Sequence, residues 1–213
     1  MTTKLPKVIL FDWDNTLVDT ESLVLRSLNH TFSHFGLPLW NEQEVRKNAQ
    51  HSGRESFPRY FGDQWQQAQE IFYHFYDTCS REGIDAIPGA ESLLQTTQKL
   101  AIRCGVVSNK RGPALRQEIQ YIGWQKYFAT LIGAGDAARD KPAPDPILLA
   151  LKQIGCESSE DDVWFVGDAP VDWQAAQAAG CCPIPLGFLH EEARIFPQAV
   201  ANCHELEKIL LRI

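Results

Sequence analysis

Five short apolar runs, at residues 8–11, 104–107, 130–132, 163–166 and, more weakly, 183–186, each break off into polar or small residues. Runs this short, without alternation of polar and apolar positions, are the pattern of parallel strands covered on both faces. Helical patterns of crossover length lie between them at 90–101, 113–122, 146–154 and 173–179. In the third, Asp145 stands where a cap is expected and Pro146 at the first helical position. Strands alternating with helices predict an α/β fold built on a doubly wound parallel sheet, a Rossmann-like core.

One interval breaks the rhythm. Residues 20–84 contain no convincing strand, but Leu25, Leu28, Phe32 and Phe35 recur at helical spacing, and 64–80 carries Trp65, Phe72, Tyr73, Phe75 and Tyr76. That is far longer than an ordinary βα connection, so an inserted helical cap over 20–84 is expected, with the catalytic core formed by 1–19 and 85–213. The chain returns near Ala86-Ile87-Pro88-Gly89, a cluster of helix and strand breakers.

Composition narrows the function classes. A chain of 213 residues with 44% hydrophobic content can bury a core without staples. Its net charge of −7 argues against a general attraction to nucleic acid or to an anionic membrane. Cys79, Cys104, Cys156, Cys181, Cys182 and Cys203 show no paired C-x-x-C spacing and read as reduced thiols of a cytoplasmic protein. The first seven residues lack the apolar stretch of a secretory signal, and no run is long enough to span a membrane.

In an open parallel sheet, ligands collect outside the carboxyl ends of the strands. The residues found there are Asp12-Trp13-Asp14-Asn15-Thr16 after the first run, Ser108-Asn109-Lys110 after the second, and Gly167-Asp168 with Asp172 after the fourth. Lys141 follows the third run by a short loop. Any one of these alone is more readily a helix cap or a turn. Together, four carboxylates converging on one crevice repel one another unless a cation sits among them. Mg²⁺ meets that need, and Lys141 and the Ser108 hydroxyl suit a phosphate opposite the metal.

With its motifs in this order, the chain resembles the haloacid dehalogenase-like superfamily of hydrolases, close to the phosphoglycolate phosphatase group. The matching segments are Asp12-Trp13-Asp14-Asn15-Thr16-Leu17-Val18, Gly105-Val106-Val107-Ser108-Asn109-Lys110, Lys141-Pro142-Ala143-Pro144-Asp145-Pro146 and Gly167-Asp168-Ala169-Pro170-Val171-Asp172. The resemblance implies that Asp12 attacks phosphorus to form an aspartyl phosphate and that Asp14 protonates the leaving oxygen and then activates water. It places Ser108 and Lys141 on the phosphate, with Thr16 and Asn109 beside them. It puts Mg²⁺ among Asp12, the Asp14 backbone carbonyl, Asp168 and Asp172. Two positions depart from the family pattern. Asn15 stands where glycine is common, although Asn tolerates positive φ, and Ala169-Pro170 replaces a stretch that often carries a hydroxyl.

Other features are weighed against plainer readings. His30 and His34 share a helix face, but they read as a solvated or packed pair, as do His51, His74, His190 and His204. Arg46, Lys47, Arg54 and Arg59 suit a solvated basic face. Arg54 follows Gly53 at a break between helical stretches, where the family's cap loop reaches the substrate, so it is also a candidate substrate contact. Trp13 either walls the site or packs in the core. The expected activity is Mg²⁺-dependent hydrolysis of a small phosphorylated metabolite of the phosphoglycolate kind, by a monomer or small homo-oligomer. A phosphotransferase of the β-phosphoglucomutase type carries the same motifs, and a phosphate-receiving signalling module combines similar residues without turnover. Dehalogenation is disfavoured by Asp14.

Overall fold

The first apolar run forms β1, Val8–Phe11, whose four residues are all buried. The computed structural model describes residues 4–80, 83–159, 162–187 and 191–213, so the first three residues and His190 lie outside the described residues. After β1 come β2 (Val18–Asp19) and the helices α1 (Glu21–His34), α2 (Glu42–Asn48), α3 (Gly53–Phe61) and α4 (Trp65–Ser80), followed by β3 (Asp85–Ala86). The chain then alternates as α5 (Ala90–Lys99), β4 (Arg103–Arg111), α6 (Gly112–Tyr121), β5 (Thr130–Ala134), α7 (Asp145–Ile154), β6 (Val163–Gly167), α8 (Pro170–Ala178), β7 (Cys182–Pro185) and α9 (Cys203–Leu210).

Five strands form a sheet in the order β5-β4-β1-β6-β7, every pairing parallel. Val8 of the central strand lies level with Arg103 on one side and Val163 on the other. Successive residues of β1 serve opposite faces. Ile9 and Phe11 join a cluster with Leu93 and Leu94 of α5, Leu115 and Ile119 of α6 and Leu206 of α9. Val8 and Leu10 join another with Ile147 and Leu151 of α7 and Ala175 and Ala176 of α8. Both faces are thus covered, which is why the strands read as unbroken apolar runs.

Helices α1 to α4 bury a core of their own around Leu28, Phe32, Val45, Phe57, Phe61 and Ala68. The chain leaves for them along β2 and returns along β3, and these two strands pair antiparallel, Val18 with Ala86 and Asp19 with Asp85. This is an α/β fold with an inserted helical cap. Among the described residues no helix is long and apolar enough to cross a membrane.

Some local expectations are corrected. Asp145 does not cap α7 but is its first residue, and its carboxylate takes two hydrogen bonds from Arg139 at 3.2 and 2.8 Å. Strand β4 continues past its apolar run to Arg111, with a register shift between Val107 and Arg111. Trp13 turns into the core, fully buried, rather than lining the cleft. His30 stacks on Phe75 with ring centroids 4.3 Å apart, the packed reading.

Candidate active site

The site lies where the central strand has neighbours reached by crossovers in opposite directions, at the carboxyl ends of β1, β4 and β6. Asp12 stays in the sheet, its N–H donating to the Val166 carbonyl at 2.8 Å. The chain then turns sharply at Asn15, whose φ of 57° is in the left-handed region that Asn tolerates better than branched residues do. This turn keeps Asp12, Asp14 and Thr16 beside one another.

Lys141 is the hub of the deeper half. It is 1% exposed, and its ammonium lies 2.8 Å from Asp12 Oδ1 and 2.7 Å from Asp172 Oδ1. Asp172, on the first turn of α8, accepts the Ala169 N–H at 3.0 Å on its other oxygen. A side chain on Gly167 would collide with the Asp172 carboxylate, so only glycine lets that group fold back beneath the end of β6. Asp168 accepts the Thr16 hydroxyl at 3.1 Å. Oxygens of Asp12, Asp168 and Asp172 can be chosen within 4.8 Å of one another.

Three carboxylates therefore face one ammonium. Burial lifts the Asp12 carboxyl to about 6, with Lys141 opposing the rise and Asp172 and Asp14 adding to it. Burial, with Asp172 and Asp12 alongside, lifts Asp168 in the same sense. Burial pulls Lys141 down, yet Asp12 and Asp172 outweigh it and hold the ammonium charged. A divalent cation fits this set of hard oxygens and relieves the repulsion that one lysine leaves.

The shallower half is organised by Lys110, whose importance sequence reasoning missed. The bulge in β4 frees Ser108, Asn109 and Lys110 from regular pairing and turns them toward the cleft. Lys110 Nζ lies 2.7 Å from Asp14 Oδ1 and 2.6 Å from Glu118 Oε2, and it donates to the Tyr76 hydroxyl of the cap at 2.7 Å. The Thr20 hydroxyl donates to the same Asp14 oxygen at 2.6 Å, and Trp13 Nε1 donates to Glu118 at 2.7 Å. Burial pulls the Lys110 ammonium down, but Asp14, Tyr76 and Glu118 reverse the effect. A signal for this network was present, since Glu118 falls on the apolar face of α6 with Leu115 and Ile119, where a carboxylate requires a buried cation.

Ser108 is buried and accepts the Lys110 N–H at 3.2 Å. Asn109 clamps the Lys141 backbone, accepting its N–H at 3.0 Å and donating to its carbonyl at 2.9 Å, and it also donates to the Gln50 carbonyl of the cap at 2.9 Å. Asp12, Asp14, Ser108, Asn109, Lys141 and Asp168 all line one cavity of about 180 Å³ that runs up under the cap. Thr16 and Asp172 lie fully buried behind it. The Asp14 carboxylate is outside the metal-sized cluster. Arg54 is outside the cavity lining, and its guanidinium grips Asp140 through two hydrogen bonds of 2.5 and 2.7 Å.

The chain matches the family model of haloacid dehalogenase-like hydrolases over residues 9–184. It is 30% identical over 208 residues to the phosphoglycolate phosphatase of Yersinia pestis, spanning 92% of this chain and 85% of that protein. CbbY from Rhodobacter sphaeroides, solved in complex with xylulose-1,5-bisphosphate, is 25% identical and superposes with a TM-score of 0.82, covering 95% of this chain and 96% of the other. A hydrolase from Pseudomonas syringae has the same fold at 20% identity, with a TM-score of 0.83 over 97% and 99% of the two chains. Sequence match, sheet order and inserted cap agree, and the chain belongs to the haloacid dehalogenase-like hydrolases.

Proposed function

We propose that this phosphatase hydrolyses a small phosphorylated metabolite through an aspartyl phosphate on Asp12, with Mg²⁺ as cofactor. The observation that carries the reading is the division of labour between the two aspartates of the first loop. Asp12 sits against Lys141 in the carboxylate cluster, whereas Asp14 is held apart by Thr20 and Lys110. One carboxylate is placed to bond phosphorus and the other to handle protons.

An Asp12 oxygen forms the new bond to phosphorus as the ester P–O bond breaks, and Asp14 gives its proton to the departing alkoxide. Asp14 then takes a proton from water, which attacks the phosphoryl group, releasing inorganic phosphate and restoring Asp12. Lys141 and Ser108 bind the phosphoryl oxygens, Asn109 fixes the Lys141 backbone, and Thr16 orients Asp168. Asp12, Asp168 and the Asp14 backbone carbonyl would hold Mg²⁺, which supplies charge neutralisation of the phosphoryl group. Asp172, with both oxygens engaged, serves by holding Lys141.

One relative is named a phosphoglycolate phosphatase and another is solved with xylulose-1,5-bisphosphate, and phosphoglycolate is the reference substrate they suggest. The six cysteines show no paired C-x-x-C spacing, which accords with a cytoplasmic location. In a phosphate-release assay with Mg²⁺, Asp12→Asn should lose all measurable turnover, and a fluoride phosphate mimic should be trapped on Asp12 in a crystal. Sustained multiple turnover by Asp12→Asn would refute the covalent mechanism.

A further inference from the structure

The cavity continues from the carboxylates into the cap, and its upper part is walled by the rings of Trp40, Phe57, Tyr60, Phe72, Tyr73 and Tyr76. These rings brace one another. Trp40 meets Tyr60 edge-on at 5.1 Å, Phe57 meets Phe72 edge-on at 5.4 Å, and Phe72 stacks with Tyr76 at 5.9 Å. The hydroxyls of Tyr60 and Tyr76 are already bonded, to the Asn48 carbonyl and to Lys110, so these residues offer chiefly apolar ring surface. Two of the cations at this level sit in ion pairs, although the Arg111 Nε keeps no hydrogen-bond partner among the described residues. Arg46 pairs with Glu21 at 2.7 Å, and Arg111 pairs with Asp77 at 3.1 Å while lying over the Tyr73 ring.

A leaving group that is a small charged acid would leave water for a largely aromatic compartment whose arginines are already shared with Glu21 and Asp77, a poor exchange for a carboxylate. A flat apolar ring would instead replace poorly held water and meet rings already fixed in place. The whole cavity of about 180 Å³ must also take the phosphoryl group, so the part above it admits no more than one ring, an apolar cavity of about 150 Å³ being what benzene alone fills. Resting on the phosphatase reading above, we propose that the preferred substrate is a primary phosphate ester whose leaving alcohol carries a single, largely apolar ring, and that the aromatic wall of the cap selects it.

Benzyl phosphate and 2-phosphoglycolate both leave as primary alkoxides, so comparing them isolates recognition from leaving-group chemistry. With Mg²⁺ present, kcat/KM should be at least about tenfold higher for benzyl phosphate, chiefly through a lower KM. Ala49 lines the same compartment, and Ala49→Leu, which adds bulk inside it, should reduce that ratio by about tenfold. Equal or better use of 2-phosphoglycolate by the wild type would overturn the proposal. Calorimetric titration with the inert analogues benzylphosphonate and phosphonoacetate keeps the two readings separable. Benzylphosphonate binding no tighter than phosphonoacetate sinks the ring proposal whatever turnover does. Tight, Ala49→Leu-sensitive binding of benzylphosphonate, with no ester hydrolysed, would support the ring compartment and defeat the phosphatase reading alone.

Discussion

Replacing Lys110 with methionine keeps most of the side-chain volume and removes the one ammonium shared by Asp14 and Glu118. Lys110 and Glu118 are 7% and 6% exposed at the side chain, so the Glu118 carboxylate would be stranded without a cation, although Trp13 still donates to it. Breaking a buried pair from one side typically costs about 3–5 kcal/mol. Asp14, at 25% side-chain exposure, regains some water, which places the expected loss near the lower end, about 3 kcal/mol. In a chain of 213 residues that lowers Tm by roughly 6–12 °C. Asp14 also loses one of its two holders, so kcat should fall by at least about tenfold with KM little changed. Thermal melts and steady-state kinetics would be run beside the double variant Lys110→Met, Glu118→Gln, whose neutral amide still accepts from Trp13. The double variant should regain most of the stability and none of the rate. A single variant melting within about 2 °C of wild type would refute the electrostatic account, and a double variant with restored kcat would show that Lys110 does not orient Asp14.

Asp14→Asn should keep metal affinity and form the aspartyl phosphate slowly while losing most of the steady-state rate, as rapid-quench and titration measurements can separate; unimpaired turnover would remove Asp14 from proton transfer. Chelation should silence the enzyme and Mg²⁺ restore it, and full activity after exhaustive chelation would contradict the cation requirement. In metal-free protein, Asp12 ionises at about 6 rather than the ordinary 3.8, so the folded state holds the extra proton between those values and the contribution of Asp12 to stability declines as pH rises through that window. Urea titrations at pH 5 and 7 should show this decline in wild type and a smaller one in Asp12→Asn; equal slopes would deny the shift. Arg54→Ala and Asp140→Asn should lower kcat/KM with less than additive losses when combined, because they share one contact, any excess of Arg54→Ala reporting its bonds to the Ala137 and Ala138 carbonyls, whereas fully additive losses would deny that the pairing of Arg54 with Asp140 matters.

The sheet was legible because its strands are buried on both faces, so each appears as a run such as Val8 to Phe11. The end of β4 was not, since Ser108 to Arg111 are polar and hydropathy cannot tell a bulged strand end from a loop. In the cap, α1 and α4 showed through their aromatic spacing, while α2 is a short charged helix with Val45 as its buried residue, and α3 contains Pro58, a residue that argues against a helix. The ribbon of β2 and β3 is two residues long on each side and leaves no periodicity to read. Motif order disclosed Asp12, Asp14, Lys141 and Asp168, all of which meet in one cavity. It did not disclose which carboxylate pairs with which lysine, because Lys141 to Asp172 and Lys110 to Glu118 are contacts set by tertiary packing, as is the fork between Arg54 and Asp140.

The ribbon in which Val18 faces Ala86 and Asp19 faces Asp85 closes the path of the cap at its base. Departure and return are stitched together there, so the covalent path of the cap joins the catalytic sheet at one place, while Tyr76 on Lys110, Gln50 on Asn109 and Arg54 on Asp140 tie the two together elsewhere. The cap supplies no strand to the five-stranded sheet, so its helices do not set the register of β1 against its neighbours. A graft made across this ribbon would have to bring its own partners for Lys110 and Asn109, since Tyr76 and Gln50 leave with the cap.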